Sequence, residues 1–281
     1  MRHASAHRTR PPRAAFGTRA LPAALSLLAS SGCFGTPTPL APGLAGSVGW
    51  PHHGVQTDAV ELPDSGVGFV RFRSEGGEYW GQPELVLGIA EAAARVDLEF
   101  PGGEPLVVGD LSARHGGKIA RHHSHRSGRD VDLLWYLVTA DGAPVKNASF
   151  LPLQAQQQGV LSRPGSVKLD TSREWALIKA LLASPYMDVQ LLYASRGVEA
   201  LVLEHARARG DDPGLIERAA DVMLEPADSL PHDDHLHLRI ACSPQRSVAG
   251  CEGGGPSWSW LGAPPRLLPE DGVDGLGEDP S

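Results

Sequence analysis

Half of the twelve histidines in this 281-residue chain fall in two short windows. The first reads His122-His123-Ser124-His125-Arg126-Ser127-Gly128-Arg129-Asp130-Val131-Asp132, the second His232-Asp233-Asp234-His235-Leu236-His237. A fold that gathers this many imidazoles and carboxylates must offset their desolvation with a partner, and a metal is one such partner. Two imidazoles and a carboxylate suffice for one metal, with further histidine left over for proton transfer. That mixture suits a catalytic zinc site, which takes three protein ligands and keeps a fourth position for water. Structural zinc sites close with four ligands and favour cysteine, and neither window holds one.

The spacing carries a geometry. His125 and Asp132 stand seven residues apart with Gly128 between them. Glycine there permits a tight or positive-φ turn that brings the chain back toward His125. Val131 to Val138 then reads as an apolar strand. Leu236 to Ile240 also reads as strand, with His235 and His237 on one face and Leu236 and Leu238 on the other. A histidine pair in a strand alone is more often a packed or surface feature than a ligand pair; the coincidence of two windows favours metal. Asp130 shares the face of Asp132, and its plainer reading is a hydrogen-bond acceptor that fixes the loop. His123 alternates away and reads as solvent-facing. His115 lies in a loop, and His52, His53 and His205 have no partner pattern.

These residues carry a resemblance. Ser124-His125-x-x-Gly128-x-x-Val131-Asp132 followed by His235-x-His237 resembles the zinc peptidases that group lysostaphin, D-Ala-D-Ala carboxypeptidases and hedgehog domains. The closer similarity is to penicillin-insensitive murein endopeptidases. It adds Tyr79-Trp80-Gly81-Gln82-Pro83-Glu84-Leu85-Val86, Val108-Gly109-Asp110-Leu111-Ser112, Gly116-Gly117 and His232-x-x-His235-x-His237-x-Arg239-x-x-Cys242, and runs from about Gly46 to Cys251. The resemblance implies His125, Asp132 and His237 as zinc ligands and His235 as catalytic base. His122 and His232 match further family histidines near the metal. The chain departs from the family at Arg126, Arg129 and Asp233-Asp234, which bears on substrate contact.

The implied reaction is hydrolysis of D-Ala–meso-diaminopimelate cross-links of peptidoglycan by a zinc-activated water, with His235 as general base. Its partners are then peptidoglycan stem peptides. No serine or cysteine nucleophile is implied, so β-lactams should not inhibit. One alternative is a D-Ala-D-Ala carboxypeptidase, for which Arg114, Arg126 or Arg129 would hold the terminal carboxylate. Another is a non-catalytic, zinc-stabilised wall-binding module, against which the retention of His235 argues.

Residues 1–32 read as a signal peptide: five arginines, no acidic residue, and a short apolar run from Leu21 to Ala29. Cys33 follows small residues and is a candidate lipid anchor, with 33–45 a Pro-rich tether. Ser30 is atypical of lipoprotein signals, so plain export is the alternative. Either leads to the periplasm. In an exported chain Cys242 and Cys251 are expected to pair, closing a short loop for on the order of 2–3 kcal/mol. Net charge is −8, and removing the five arginines of the signal gives −8 − 5 = −13 for the remainder. That argues against nucleic acid as a partner, since phosphate binding needs basic surface.

The expected architecture is α+β: one zinc peptidase domain over 46–251, with a small antiparallel sheet carrying the ligands and helices flanking it. Helices are expected over Pro83–Arg95, from a Thr171-Ser172 cap through Leu182, over Gly197–Arg209 and over Pro213–Met223. Strands are expected at 67–72, 106–111 and 189–193. The stretch 140–167 lacks periodicity and reads as a long loop over the cleft. The tail 252–281 is acidic and rich in Gly and Pro and reads as mostly disordered, with Trp258 and Trp260 able to dock.

Overall fold

The computed structural model describes residues 46–153, 158–160, 165–227, 231–253 and 256–261. The expected signal peptide, the tether with Cys33, and the tail from 262 onward lie outside the described residues. In chain order the elements are β1 (Ser47–Trp50), β2 (His53–Gln56), β3 (Val60–Glu61), β4 (Ser65–Gly66), β5 (Phe69–Arg71), β6 (Trp80–Gly81), α1 (Pro83–Glu99), β7 (Leu106–Val108), β8 (Asp130–Leu134), β9 (Leu137–Thr139), β10 (Pro144–Val145), β11 (Gln158–Val160), β12 (Ser166–Leu169), α2 (Thr171–Leu182), β13 (Val189–Tyr193), α3 (Arg196–Arg209), α4 (Pro213–Val222), β14 (Met223–Leu224), β15 (His235–Ile240) and α5 (Pro244–Val248).

The architecture is α+β. The principal sheet runs β14-β13-β15-β8-β7-β5-β4. Its centre, β13-β15-β8-β7, is antiparallel as expected, and the parallel pairs β13–β14 and β5–β7 extend it on either side. Period-2 alternation sends Val131, Leu133, Leu236 and Leu238 into the core, all of them fully buried. The helices join that core through apolar faces, such as Leu85, Ile89, Ala92 and Val96 of α1 and Trp175, Ile178 and Leu182 of α2.

Three sequence expectations shift. The 131–138 run is two strands, broken at Trp135-Tyr136. There Asn147 Nδ2 donates to the Trp135 carbonyl at 3.0 Å and the Tyr136 N–H donates to Glu174 Oε2 at 3.3 Å, so side chains replace the ladder. The 140–167 stretch is not simply loop, because β10 and β12 join β9 and β11 in a four-stranded antiparallel sheet. Its strands are two to four residues long, too short to leave a period in the sequence. Helix α2 is capped by Asp170, whose side chain accepts from the Arg173 N–H, and Thr171 and Ser172 are already helical.

The expected disulfide joins Cys242 to Cys251. It secures the chain just after β15, and the returning segment binds β1 through Gly49 N–H to the Gly250 carbonyl at 2.7 Å. Trp258 docks by donating from Nε1 to the Gln190 carbonyl at 2.6 Å and stacks on Trp260. No helix among the described residues is long and apolar enough to cross a membrane.

Candidate metal centre

Register brings the two windows together. In the β8–β15 pairing His237 lies opposite Asp132 and Arg239 opposite Asp130, so all four share one face. The third contributor, His125, is on the loop before β8. Its backbone is left-handed at φ +61°, unusual for a non-glycine residue. Gly128 follows at φ +76°, and a Cβ there would sit 1.8 Å from Gln56 Oε1, so the turn needs glycine for space as well as for φ. The loop is held by Gln82 N–H on the Gly128 carbonyl (2.9 Å) and Gly128 N–H on Ser112 Oγ (3.2 Å).

His125 Nδ1–H donates to the Leu111 carbonyl at 2.6 Å, which leaves the Nε2 lone pair facing inward. His237 Nε2–H donates to Asp130 Oδ1 at 2.9 Å, leaving Nδ1 facing inward. Between these nitrogens lies Asp132 Oδ1, 3.2 Å from His125 Nε2 and 3.1 Å from His237 Nδ1, with the nitrogens 3.4 Å apart. A tetrahedral zinc with bonds of about 2.1 Å separates its ligands by roughly 3.4 Å, so this donor set fits the metal. All three are buried. The wider cluster comprises two triads, His122-His125-Asp132 and His232-His235-His237, each with ligating atoms within 4.8 Å. The His125–Asp132–His237 set bridges them and is the tighter.

The remaining histidines ring this set. His122 Nε2–H donates to Asp110 Oδ2 at 3.1 Å, and its Nδ1 lies 3.6 Å from Asp132 Oδ2. His235 Nε2 lies 3.3 Å from Asp132 Oδ1, and its Nδ1 binds Asp234. The His232 ring lies 4.8 Å from that of His235, tilted by 54°, and its Nδ1 is buried without a hydrogen-bond partner. Phe150, from the segment after β10, sets its ring edge-on to His235 at 5.3 Å and to Phe72 at 5.2 Å.

Electrostatics divide these groups. Burial opposes the charge on Asp132, but His125 and His235 outweigh it and hold the carboxyl well below its usual range. Asp130 is lowered too, burial being outweighed by Arg239 and His237. Burial works against protonation of His235, yet Asp132 and Asp234 push it up to about 10 while the charge of Asp132 is uncompensated. A dication on Asp132 removes much of that field. Burial, then His237 and His235, push His232 down to about 4, so it is neutral at pH 7.

The structure therefore gathers every expected site residue: His122, His125, Asp132, His232, His235 and His237. The plainer reading of Asp130 is half right, since it is an acceptor, but of the His237 and Arg239 side chains. The roles of Asp110 and Phe150 were not read from sequence; Asp110 stood in a quoted motif without a role, and Phe150 had no signal. Arg129 is not available to a substrate. It is 1% exposed and donates to Ser47 Oγ (3.1 Å) and the Glu252 carbonyl (2.6 Å). Arg114 lies over the Trp80 ring. His123 is exposed as expected, and His52 has a partner after all, stacking on His123.

Comparison with known proteins places the chain in a family. The family model described as penicillin-insensitive murein endopeptidase matches residues 47–257. Proteins of that name from Escherichia coli O157:H7 and Shigella boydii serotype 18 are each 27% identical over 229 residues, covering 78% of this chain and 77% of theirs. The protein of that name from Haemophilus influenzae is 24% identical over 224 residues, 78% of this chain and 71% of its own.

Proposed function

From a chain that belongs to the penicillin-insensitive murein endopeptidase family, we propose a periplasmic zinc peptidase that hydrolyses D-Ala–meso-diaminopimelate cross-links between peptidoglycan stem peptides. The observation that carries this reading is the convergence of His125 Nε2, Asp132 Oδ1 and His237 Nδ1, with His235 at the same carboxylate. Zinc held by these three would supply Lewis acidity toward the scissile carbonyl and a water of lowered pKa.

The chain's own residues supply the rest. His235 accepts the proton of the attacking water as oxygen bonds to the carbonyl carbon. It then passes that proton to the leaving amine as the C–N bond breaks. Neutral His232 can donate a hydrogen bond to the developing oxyanion. Asp110 fixes the His122 tautomer with Nε2 protonated, so its Nδ1 meets the site as an acceptor. Phe150 screens His235 from bulk water. Asp130 orients His237 as carboxylates orient zinc-bound histidines elsewhere. Export and a lipid at Cys33 belong to the same proposal, and intact mass of membrane-extracted protein tests the lipid.

Digestion of purified cross-linked muropeptides followed by mass analysis tests the activity. Conversion of dimers to monomers is expected, insensitive to β-lactam and abolished by a chelator. Loss of a single alanine would mean carboxypeptidase instead, and no change a binding module.

A further inference from the structure

Trp50 closes β1 and is 39% exposed, and Pro51-His52 form the two-residue turn to β2. The rings of Trp50, His52 and His123 follow one another: Trp50 to His52 is 5.9 Å between centroids at an interplanar angle of 41°, and His52 to His123 is 5.9 Å at 14°. All three are exposed. The cluster is rigidly mounted beside the metal loop. Arg126 N–H donates to the Pro51 carbonyl (3.1 Å), Gly117 N–H to the Gly54 carbonyl (3.1 Å) and Gln56 N–H to the His115 carbonyl (3.1 Å). The disulfide-closed segment holds the other strand through Gly49.

We propose that Trp50, His52 and His123 form a stacking platform for the sugar rings of the glycan strand that bears the scissile stem peptide. This rests on the peptidase reading above. A pyranose offers an apolar C–H face and a hydroxyl rim. The cluster offers aromatic rings edged by indole and imidazole nitrogens, with no carboxylate or guanidinium among them. Reach agrees. A stem peptide of about four residues spans roughly 14 Å when extended. His123 is two residues from His125, so its Cα lies within about 8 Å of that ligand's. The two centroid steps of 5.9 Å add a span of at most about 12 Å beyond His123.

The test compares wild type, Trp50→Ala, His52→Ala and Trp50→Tyr on two substrates: cross-linked peptides still carrying their disaccharides, and the same peptides freed of sugar by an amidase. Unchanged melting temperatures check folding. KM should rise about two- to tenfold for the alanine variants on the sugar-bearing substrate alone, with kcat unchanged and Trp50→Tyr near wild type. Equal effects on both substrates, or none on either, overturn the platform. Calorimetric titration with peptide-free glycan oligosaccharides is independent of turnover: wild type should bind, and Trp50→Ala should bind several-fold more weakly. A wild type that cleaves neither substrate refutes the peptidase reading, and the titration alone then decides the platform; equal binding by wild type and Trp50→Ala refutes it.

Discussion

Asp132 on β8 and Glu174 on α2 are both 1% exposed, yet their carboxyls end in opposite protonation states. Burial raises each. At Asp132, His125 and His235 outweigh it, and the group is an anion. At Glu174, burial prevails over one Tyr136 N–H and Arg173, with Asp170 adding repulsion, and the group is pushed up to about 8. Charge at the site is therefore a product of converging donors, not of depth. The site can exchange those donors' positive charge for a dication, whereas the pocket of Glu174 has no such donor set.

The comparison breaks most visibly at Asp132 itself. Asp132→Ala should lose most of its zinc, because the carboxylate is the ligand between the two imidazoles. Activity should fall on the order of 10³-fold or more, the several kcal/mol that such metals supply. The fold should persist, since the core residues of β8 are Val131 and Leu133 on the opposite face. Elemental analysis of the purified variant checks it, and full zinc content would refute the assignment.

His235 touches the same Asp132 oxygen but is assigned a proton rather than the metal. His235→Ala should keep its zinc and lose about 10²–10⁴-fold in turnover. Loss of zinc instead would make His235 a ligand. Full turnover would move the base to His122, His232 or Asp130.

Much of this site is legible in the sequence because its logic is local. Period 2 is enough to face His235 with His237 and Asp130 with Asp132, and Gly128 announces the turn. Register is not local: that Asp130 meets Arg239 and His237 depends on how β8 and β15 align, which neither strand encodes alone. The left-handed φ of His125 is also hidden, since nothing marks a non-glycine residue for it. The same holds for rings brought together from distant segments, such as Phe150 on His235 and His52 on His123. Short strands in the 140–167 stretch are set by tertiary pairing with β9 and leave no pattern to read.

A smaller effect sharpens the contrast between ligand and support. Asp130→Asn removes the anion that holds His237 Nε2–H and Arg239. Zinc affinity should fall about 10- to 100-fold, as for other carboxylates behind metal-bound histidines. Competition with a chelator of known affinity measures this, and unchanged affinity would make Asp130 a partner of Arg239 alone.

Glu174 supplies the control, with no expected effect on catalysis. Its carboxyl is raised in the folded chain to about 8, against 4.5 as the ordinary value. Below pH 4.5 it is protonated in both states and costs nothing. Between pH 4.5 and 8 the unfolded chain ionises while the folded chain stays protonated, so the folded state binds more protons and stability falls as pH rises. Each pH unit in that window removes up to about 1.4 kcal/mol, a few kcal/mol across the whole of it. Glu174→Gln cannot ionise and still offers an acceptor to the Tyr136 N–H. Its stability relative to wild type should therefore climb steadily from pH 4.5 to 8 in denaturant titrations, while activity per bound zinc stays the same. Parallel stability curves across that range would mean that Glu174 is charged in the folded protein, and the contrast with Asp132 would fail.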